Sequence, residues 1–168
     1  MDELKRSFAP VADGRTRVLV LGSLPGEESL ARRRYYANPR NQFWRLIGSV
    51  AGLELEPLPY AARLEALLEA GIGLWDAVES ASRRGSLDGN IRGHTPNDLA
   101  ALAATLAELR VVGFNGGTAA KLGTMQLGQD PRLTLVPLPS SSPAYTLPFA
   151  AKLERWMALR PFLAGHSS

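Results

Sequence analysis

The chain has 168 residues, 45% of them hydrophobic, with 19 Lys and Arg against 16 Asp and Glu, a formal net charge of +3 and no cysteine. That length and apolar content suffice for one sizeable core, so a single domain over residues 1–168 is expected, ordered over about 15–163. The missing cysteines exclude disulfides, thiolate nucleophiles and cysteine-ligated metals, the histidines His94 and His166 are too few for a usual metal site, and no apolar stretch approaches the roughly 20 residues that span a bilayer.

The first residues, Met1-Asp2-Glu3-Leu4-Lys5, lack the apolar core of a secretion signal, which makes an intracellular, cytoplasmic protein the expectation. Neither a cofactor nor a metal is expected. The small basic excess is unevenly placed. Arg32, Arg33 and Arg34 form a run, Arg40 and Arg45 follow, and Arg83, Arg84 and Arg92 frame a later loop. These groups could meet phosphates, although a solvated surface is the ordinary use of such charge.

In chain order, residues 17–21 (RVLVL) read as a buried strand, followed by a long loop over 22–40. A helix over 41–50 comes next. Tyr60–Glu69, with Leu64, Leu67 and Leu68 at helical spacing, is a clearer one. Residues 72–75 (IGLW) form the second strand, with a loop over 76–93. Residues 98–109 repeat Leu99, Leu102, Leu106 and Leu109, and Thr95-Pro96 ahead of them reads as an N-cap and first-turn proline. Strands at 111–114 (VVGF) and 133–136 (LTLV) follow, with loops over 115–118 and 137–145, and an amphipathic stretch over 147–163 closes the chain. The segments before about residue 15 and after about residue 163 are expected to be loose. Strands alternating with helices predict a three-layer α/β/α sandwich around a central, mainly parallel four-stranded sheet, with chemistry in the loops that leave the strand ends.

Those loops carry motifs. The first reads Gly22-Ser23-Leu24-Pro25-Gly26, then Tyr35-Tyr36-Ala37-Asn38-Pro39-Arg40-Asn41-Gln42-Phe43-Trp44. Its glycines allow close backbone approach to a ligand, but the Gly-Lys-Ser/Thr ending of a nucleotide-phosphate loop is missing. Later come Gly71-Ile72-Gly73-Leu74-Trp75-Asp76 with Gly85-Ser86-Leu87-Asp88 and Ile91, then Phe114-Asn115-Gly116-Gly117-Thr118-Ala119, then Pro137-Leu138-Pro139-Ser140-Ser141-Ser142-Pro143-Ala144. In this order the four motifs resemble those of the uracil-DNA glycosylase superfamily, nearest to its deoxyinosine (hypoxanthine) DNA glycosylases.

The resemblance implies an enzyme that extrudes a deaminated base, hypoxanthine or uracil, from DNA and hydrolyses its glycosidic bond. Such a reaction needs a group to orient water, charge to face an oxocarbenium-like sugar, donors for the base and a stacking surface. Tyr36 resembles the aromatic on which relatives stack the base, while Phe43 and Trp44 are expected in the core. Asn41 matches the asparagine that closes the motif and would position water or base; N-capping is its plain alternative. Asp88 is the carboxylate candidate, with a turn as its alternative. Asp76 sits where the classical uracil enzymes read the base edge with an amide, and pairing with a nearby arginine is its plain alternative. Ser23, Leu24, Asn38 and Asn115 are further base-side candidates. Ser140, Ser141, Ser142 and Pro143 resemble the loop that compresses DNA phosphates, and Arg40 and Arg84 are candidate DNA contacts.

Two departures bear on mechanism. Leu24 stands where mismatch-specific relatives hold water with asparagine, and Leu138 where classical enzymes have histidine, so the polar work would fall to Asn41 or Asp88. No lysine lies in the motif loops, with Lys121 well past the third, so a monofunctional enzyme leaving an abasic site is expected. A monomer is expected, acting on DNA and not on membranes. The alternatives are a mismatch-specific G:U/T enzyme, a non-catalytic nucleic-acid-binding module, and an esterase built on Ser23 and His94 that lacks the usual nucleophile elbow.

Overall fold

A computed structural model describes residues 3–83 and 91–163. In chain order the elements are β1 (Glu3–Arg6), β2 (Val18–Gly22), α1 (Glu27–Arg32), α2 (Phe43–Ala51), α3 (Tyr60–Glu69), β3 (Ile72–Asp76), β4 (Val78–Arg83), β5 (Ile91–Pro96), α4 (Leu99–Thr105), β6 (Val111–Asn115), α5 (Gly117–Leu127), β7 (Thr134–Leu138) and α6 (Phe149–Trp156), which runs on into a 3-10 segment, Met157–Phe162. Strands β3, β2, β6 and β7 form, in that spatial order, a four-stranded sheet whose neighbours are all parallel.

Both faces of this sheet are covered, because side chains alternate along a strand and the strands are apolar on both sides. Val18, Val20, Ile72, Leu74 and Val111 pack with Phe43, Leu46 and Ile47 of α2 and Trp156 of α6. Leu19, Leu21, Val112 and Phe114 pack with Leu99 and Ala103 of α4 and with Ala119 and Leu127 of α5. The three-layer sandwich is thus the expected one. On the second face, α5 approaches β6 so closely that a Cβ at Gly123 would overlap the Phe114 ring. Gly123→Ala should therefore destabilise the fold by about 1–3 kcal/mol through overpacking, measurable as a lower urea midpoint at unchanged slope.

Several expectations are corrected. Among the described residues, the stretch from Glu3 to residue 15 is tied down: β1 pairs antiparallel with β4, Val11 bridges Leu74, and the Trp75 indole donates to the Phe8 carbonyl at 2.9 Å. Its short polar strand has no apolar period to betray it, and its order comes from partners distant in sequence. With β5, these strands make a second, antiparallel sheet, β1-β4-β5, that the strand patterns do not announce. Thr95-Pro96 does not open a helix. Pro96 ends β5, a position where its missing N–H is tolerated, and Asp98 is the cap, its carboxylate accepting from the Ala101 N–H at 3.0 Å. Helix α4 stops at Thr105, short of Leu109, and the closing stretch tightens to 3-10 geometry where Pro161 cannot donate.

Candidate active site

The parallel register builds the floor of the site. Val18, Ile72 and Val111 are aligned across β2, β3 and β6, and so, one rung on, are Val20, Leu74 and Gly113. Two residues further, on the same face, the row becomes Asp76, Gly22, Asn115 and Leu138. The apolar pattern thus turns polar at the last rung, with glycine at its centre. A Cβ on Gly22 would lie 2.6 Å from Asp76 Oδ1 and 3.2 Å from the Tyr36 hydroxyl, so the hydrogen of glycine is what lets each of these groups come so close to the strand.

Above this row opens a cleft of about 450 Å³. Its lining includes Ser23, Leu24, Tyr36, Asn38, Asn41, Asp76, Asn115, Ser140, Ser141, Ser142 and Pro143, so the structure gathers eleven of the residues singled out from sequence. Asp88 and Arg84 lie outside the described residues. Arg40 is exposed and does not line the cleft, though its backbone N–H donates to Asn38 Oδ1 at 2.9 Å.

Tyr36 and its neighbours are held stiffly. Tyr36 has a left-handed backbone, φ 53°, unusual for a bulky residue. The Trp44 indole fixes it by donating to its carbonyl at 3.1 Å, while the Ala37 N–H donates to Ser29 Oγ at 3.0 Å and the Tyr35 N–H to the Tyr60 hydroxyl at 2.9 Å. Phe43 covers one face of the Tyr36 ring, with centroids 3.9 Å apart and planes 13° from parallel. Any base that stacks on Tyr36 uses its other face. Tyr35, by contrast, is buried, and its hydroxyl donates to the Ala9 carbonyl at 2.9 Å. Burial, and after it the Asp76 charge, pushes this phenol far above its ordinary value, so it stays a donor.

Asn115 joins three walls. Its Nδ2 donates to the Ser141 hydroxyl at 2.8 Å and to the Tyr36 hydroxyl at 3.2 Å, and its Oδ1 accepts from the Ser141 N–H at 2.9 Å. The serine loop stiffens itself as well: the Ser140 hydroxyl accepts from the Ser142 N–H and the Ser142 hydroxyl from the Ala144 N–H, both at 3.1 Å. Asn41 shows the capping role in part. Its Oδ1 accepts from the Phe43 N–H at 2.9 Å, which orients the amide on the cleft wall and leaves the oxygen a second lone pair.

Sequence reasoning missed three contributors. Glu27 and Glu28 reach the cleft because α1 forms inside a stretch read as loop, where no run of apolar residues signals a helix. Lys152 enters from α6: only 1% exposed, it donates to the Ser142 carbonyl at 3.2 Å and sits 5.4 Å from the Tyr145 ring centroid. Burial lowers its pKa. Lys152 lies three residues after Phe149 and four before Trp156, beside the apolar face of the helix, and only the fold reveals the loop carbonyl that it serves. Neither Lys152 nor Lys121 lines the cleft, which among the described residues has three carboxylates, Glu27, Glu28 and Asp76, and no cationic side chain. Such a surface suits a cationic sugar and a base presenting N–H groups, and repels phosphate. Among the described residues no group of histidines and carboxylates could hold a metal, and no helix is long and apolar enough to cross a membrane.

Comparison with known proteins bears on the family and the fold. Residues 9–160 match the family model described as the Uracil DNA glycosylase superfamily. A hypoxanthine DNA glycosylase of Methanosarcina acetivorans is 40% identical over 141 residues, covering 84% of this chain and 88% of its own. Another, from Methanosarcina barkeri, is 43% identical over 112 residues, covering 67% and 71%. The solution NMR structure of a Methanosarcina acetivorans protein, provisionally assigned as a uracil DNA glycosylase, superposes with a TM-score of 0.83 at 36% identity, over 95% of this chain and 99% of that one. With the family model, the relatives and the fold in agreement, this chain belongs to the uracil DNA glycosylase superfamily.

Proposed function

We propose that the chain is a monofunctional DNA glycosylase, acting as a monomer, that takes a flipped hypoxanthine into the cleft and leaves an abasic site. The observation that carries the reading is the buried Asp76 carboxylate, 4% exposed, at the floor of a cleft whose wall is Tyr36. Deamination turns adenine's N1 from an acceptor into an N–H donor, and cytosine's N3 likewise. An ionised carboxylate only accepts, so it welcomes hypoxanthine and uracil and repels their parent bases. The curated relatives' names favour hypoxanthine between the two.

Hydrolysis breaks the bond from C1′ to the base nitrogen. The electron pair leaves with the base, which picks up a proton, and a water oxygen attaches to C1′ and loses one. Asn41 orients that water from the wall of the cleft, a geometric contribution, since an amide is a poor base. To Asp88 we assign, from its place in the second motif alone, the stabilisation of the cation and the removal of the water proton. Ser140, Ser142 and Pro143 hold the strand, while Ser141, 1% exposed and bonded to Asn115, fixes the loop that presents them. With no lysine presented to C1′ by the described cleft, a Schiff base and strand cleavage are not expected.

A panel of oligonucleotides carrying hypoxanthine, uracil, xanthine or mismatched thymine tests the reading. Hypoxanthine should be released fastest, and strands should break only after alkali. Absence of base release from every lesion would leave a binding module instead, and breakage without alkali would remove the monofunctional mechanism. In the same panel Asp76→Asn should lower hypoxanthine release about tenfold or more, because one of the amide's two orientations confronts N1–H with a second donor.

A further inference from the structure

The cleft offers phosphate no cation among its described residues, yet a flipped nucleotide stays tied to the strand through phosphates on both sides. One side can lie against the serine loop. On the opposite side of the Tyr35–Tyr36–Asn38–Asn41 wall is a second cavity of about 300 Å³, which shares those four residues with the cleft. Its remaining lining includes Arg32, Arg34, Arg63, Trp44, Tyr60 and one carboxylate, Glu56.

The three arginines differ in availability. Arg63 is committed: it donates to the backbone carbonyls of Leu58 at 2.9 Å and Glu56 at 2.6 Å, and its guanidinium lies 5.2 Å from the Trp44 ring centroid. Arg32 makes one long pair, 3.9 Å, with Glu28. Arg34 is exposed, lies over the Tyr60 ring at 5.3 Å, and makes no ion pair with any described residue. An aromatic face orients a guanidinium while leaving its in-plane N–H groups free for a tetrahedral anion.

We propose that this second cavity is a phosphate subsite, in which Arg34, assisted by Arg32, grips the DNA phosphodiester flanking the flipped nucleotide on the side away from the serine loop. The proposal rests on the reading of the cleft as a base pocket. It also ties grip to catalysis. The Tyr60 ring beneath Arg34 is the one whose hydroxyl holds the Tyr35 N–H, and Tyr35 leads into the strained Tyr36. Two clamps on either side of one rigid wall would set the sugar between them, a division of labour that places the cationic grip outside the carboxylate-lined cleft.

The test is binding to a duplex with a tetrahydrofuran abasic analogue, in which each phosphate near the lesion is replaced in turn by a neutral methylphosphonate. Wild type should lose about tenfold at one flanking phosphate on the Arg34 side. Arg34→Gln should bind the unmodified duplex about tenfold more weakly, lose about 1 from its salt slope, and no longer respond to methylphosphonate at that position. Arg32→Gln should show the same pattern more weakly. Arg110→Gln, a charge removed just before β6 at the opposite end of the strands, should keep the wild-type phosphate profile. If Arg34→Gln keeps the wild-type salt slope and the full methylphosphonate penalty, the subsite is wrong. Because this readout needs no base release, it stands apart from the lesion panel: an enzyme that excises hypoxanthine but ignores Arg34 refutes the subsite alone.

Discussion

Replacing Asn41 with alanine is expected to slow single-turnover hypoxanthine release at least tenfold, while affinity for an abasic duplex stays within about twofold of wild type. Positioning energy of this kind is lost from the transition state and not from the product complex. The complication is that Asn41 Oδ1 also receives the Phe43 N–H at the start of α2. Removing that cap should cost about 0.5–2 kcal/mol of stability, so alanine alone confounds folding with chemistry. Asn41→Asp separates them: the carboxylate keeps the acceptor and the stability, but surrenders the amide donor on the cleft wall. If stability returns and turnover does not, the donor matters; if both return, the oxygen is what orients the water. Asp88→Asn should give a loss of the same order as alanine at 41. Wild-type turnover in both Asn41→Ala and Asp88→Asn would refute the site assignment.

What the sequence discloses and what it hides divide along a physical line. The four parallel strands announce themselves because their Val, Leu and Ile runs are what a sheet covered on both faces requires, and the residues at their ends then fall into one cleft by topology. Nothing comparable marks β1, β4 and β5, an antiparallel set of mostly polar residues, as in the VESASR of β4. Helix α5 carries no such signal: it opens on Gly116 and Gly117, which with Asn115 read as a turn, and its Gly123 answers to the bulk of Phe114 across the layer. Lone residues behave in the same way. Asn115 in Asn-Gly-Gly reads as a turn, yet it bonds both Ser141 and Tyr36, partners 26 and 79 residues away. Motif order finds such residues; only the fold says what they hold.

The most demanding consequence of the floor geometry concerns a residue with no side chain. Gly22→Ala should reduce hypoxanthine release about a hundredfold, the loss that goes with displacing a reacting group by about 1 Å. The added methyl would stand 2.6 Å from Asp76 Oδ1, closer than such contacts occur, and 3.2 Å from the Tyr36 hydroxyl. Tyr36 has little room to retreat, with Phe43 stacked behind its ring and Asn115 and Trp44 bonded to its hydroxyl and carbonyl. The carboxylate must therefore swing, taking the base acceptor out of register with the wall. Stability should fall far less than activity, because β2 keeps its backbone pairing with β3 and β6. Once Gly22→Ala is in place, removing the Asp76 charge should change little. The double variant, Gly22→Ala with Asp76→Asn, should be no worse than about threefold below Gly22→Ala alone, since the first change has already cost the second group its position. Rates that multiply independently would mean that the two residues do not share one floor, and a Gly22→Ala enzyme with wild-type turnover would place the reacting base somewhere other than over this row.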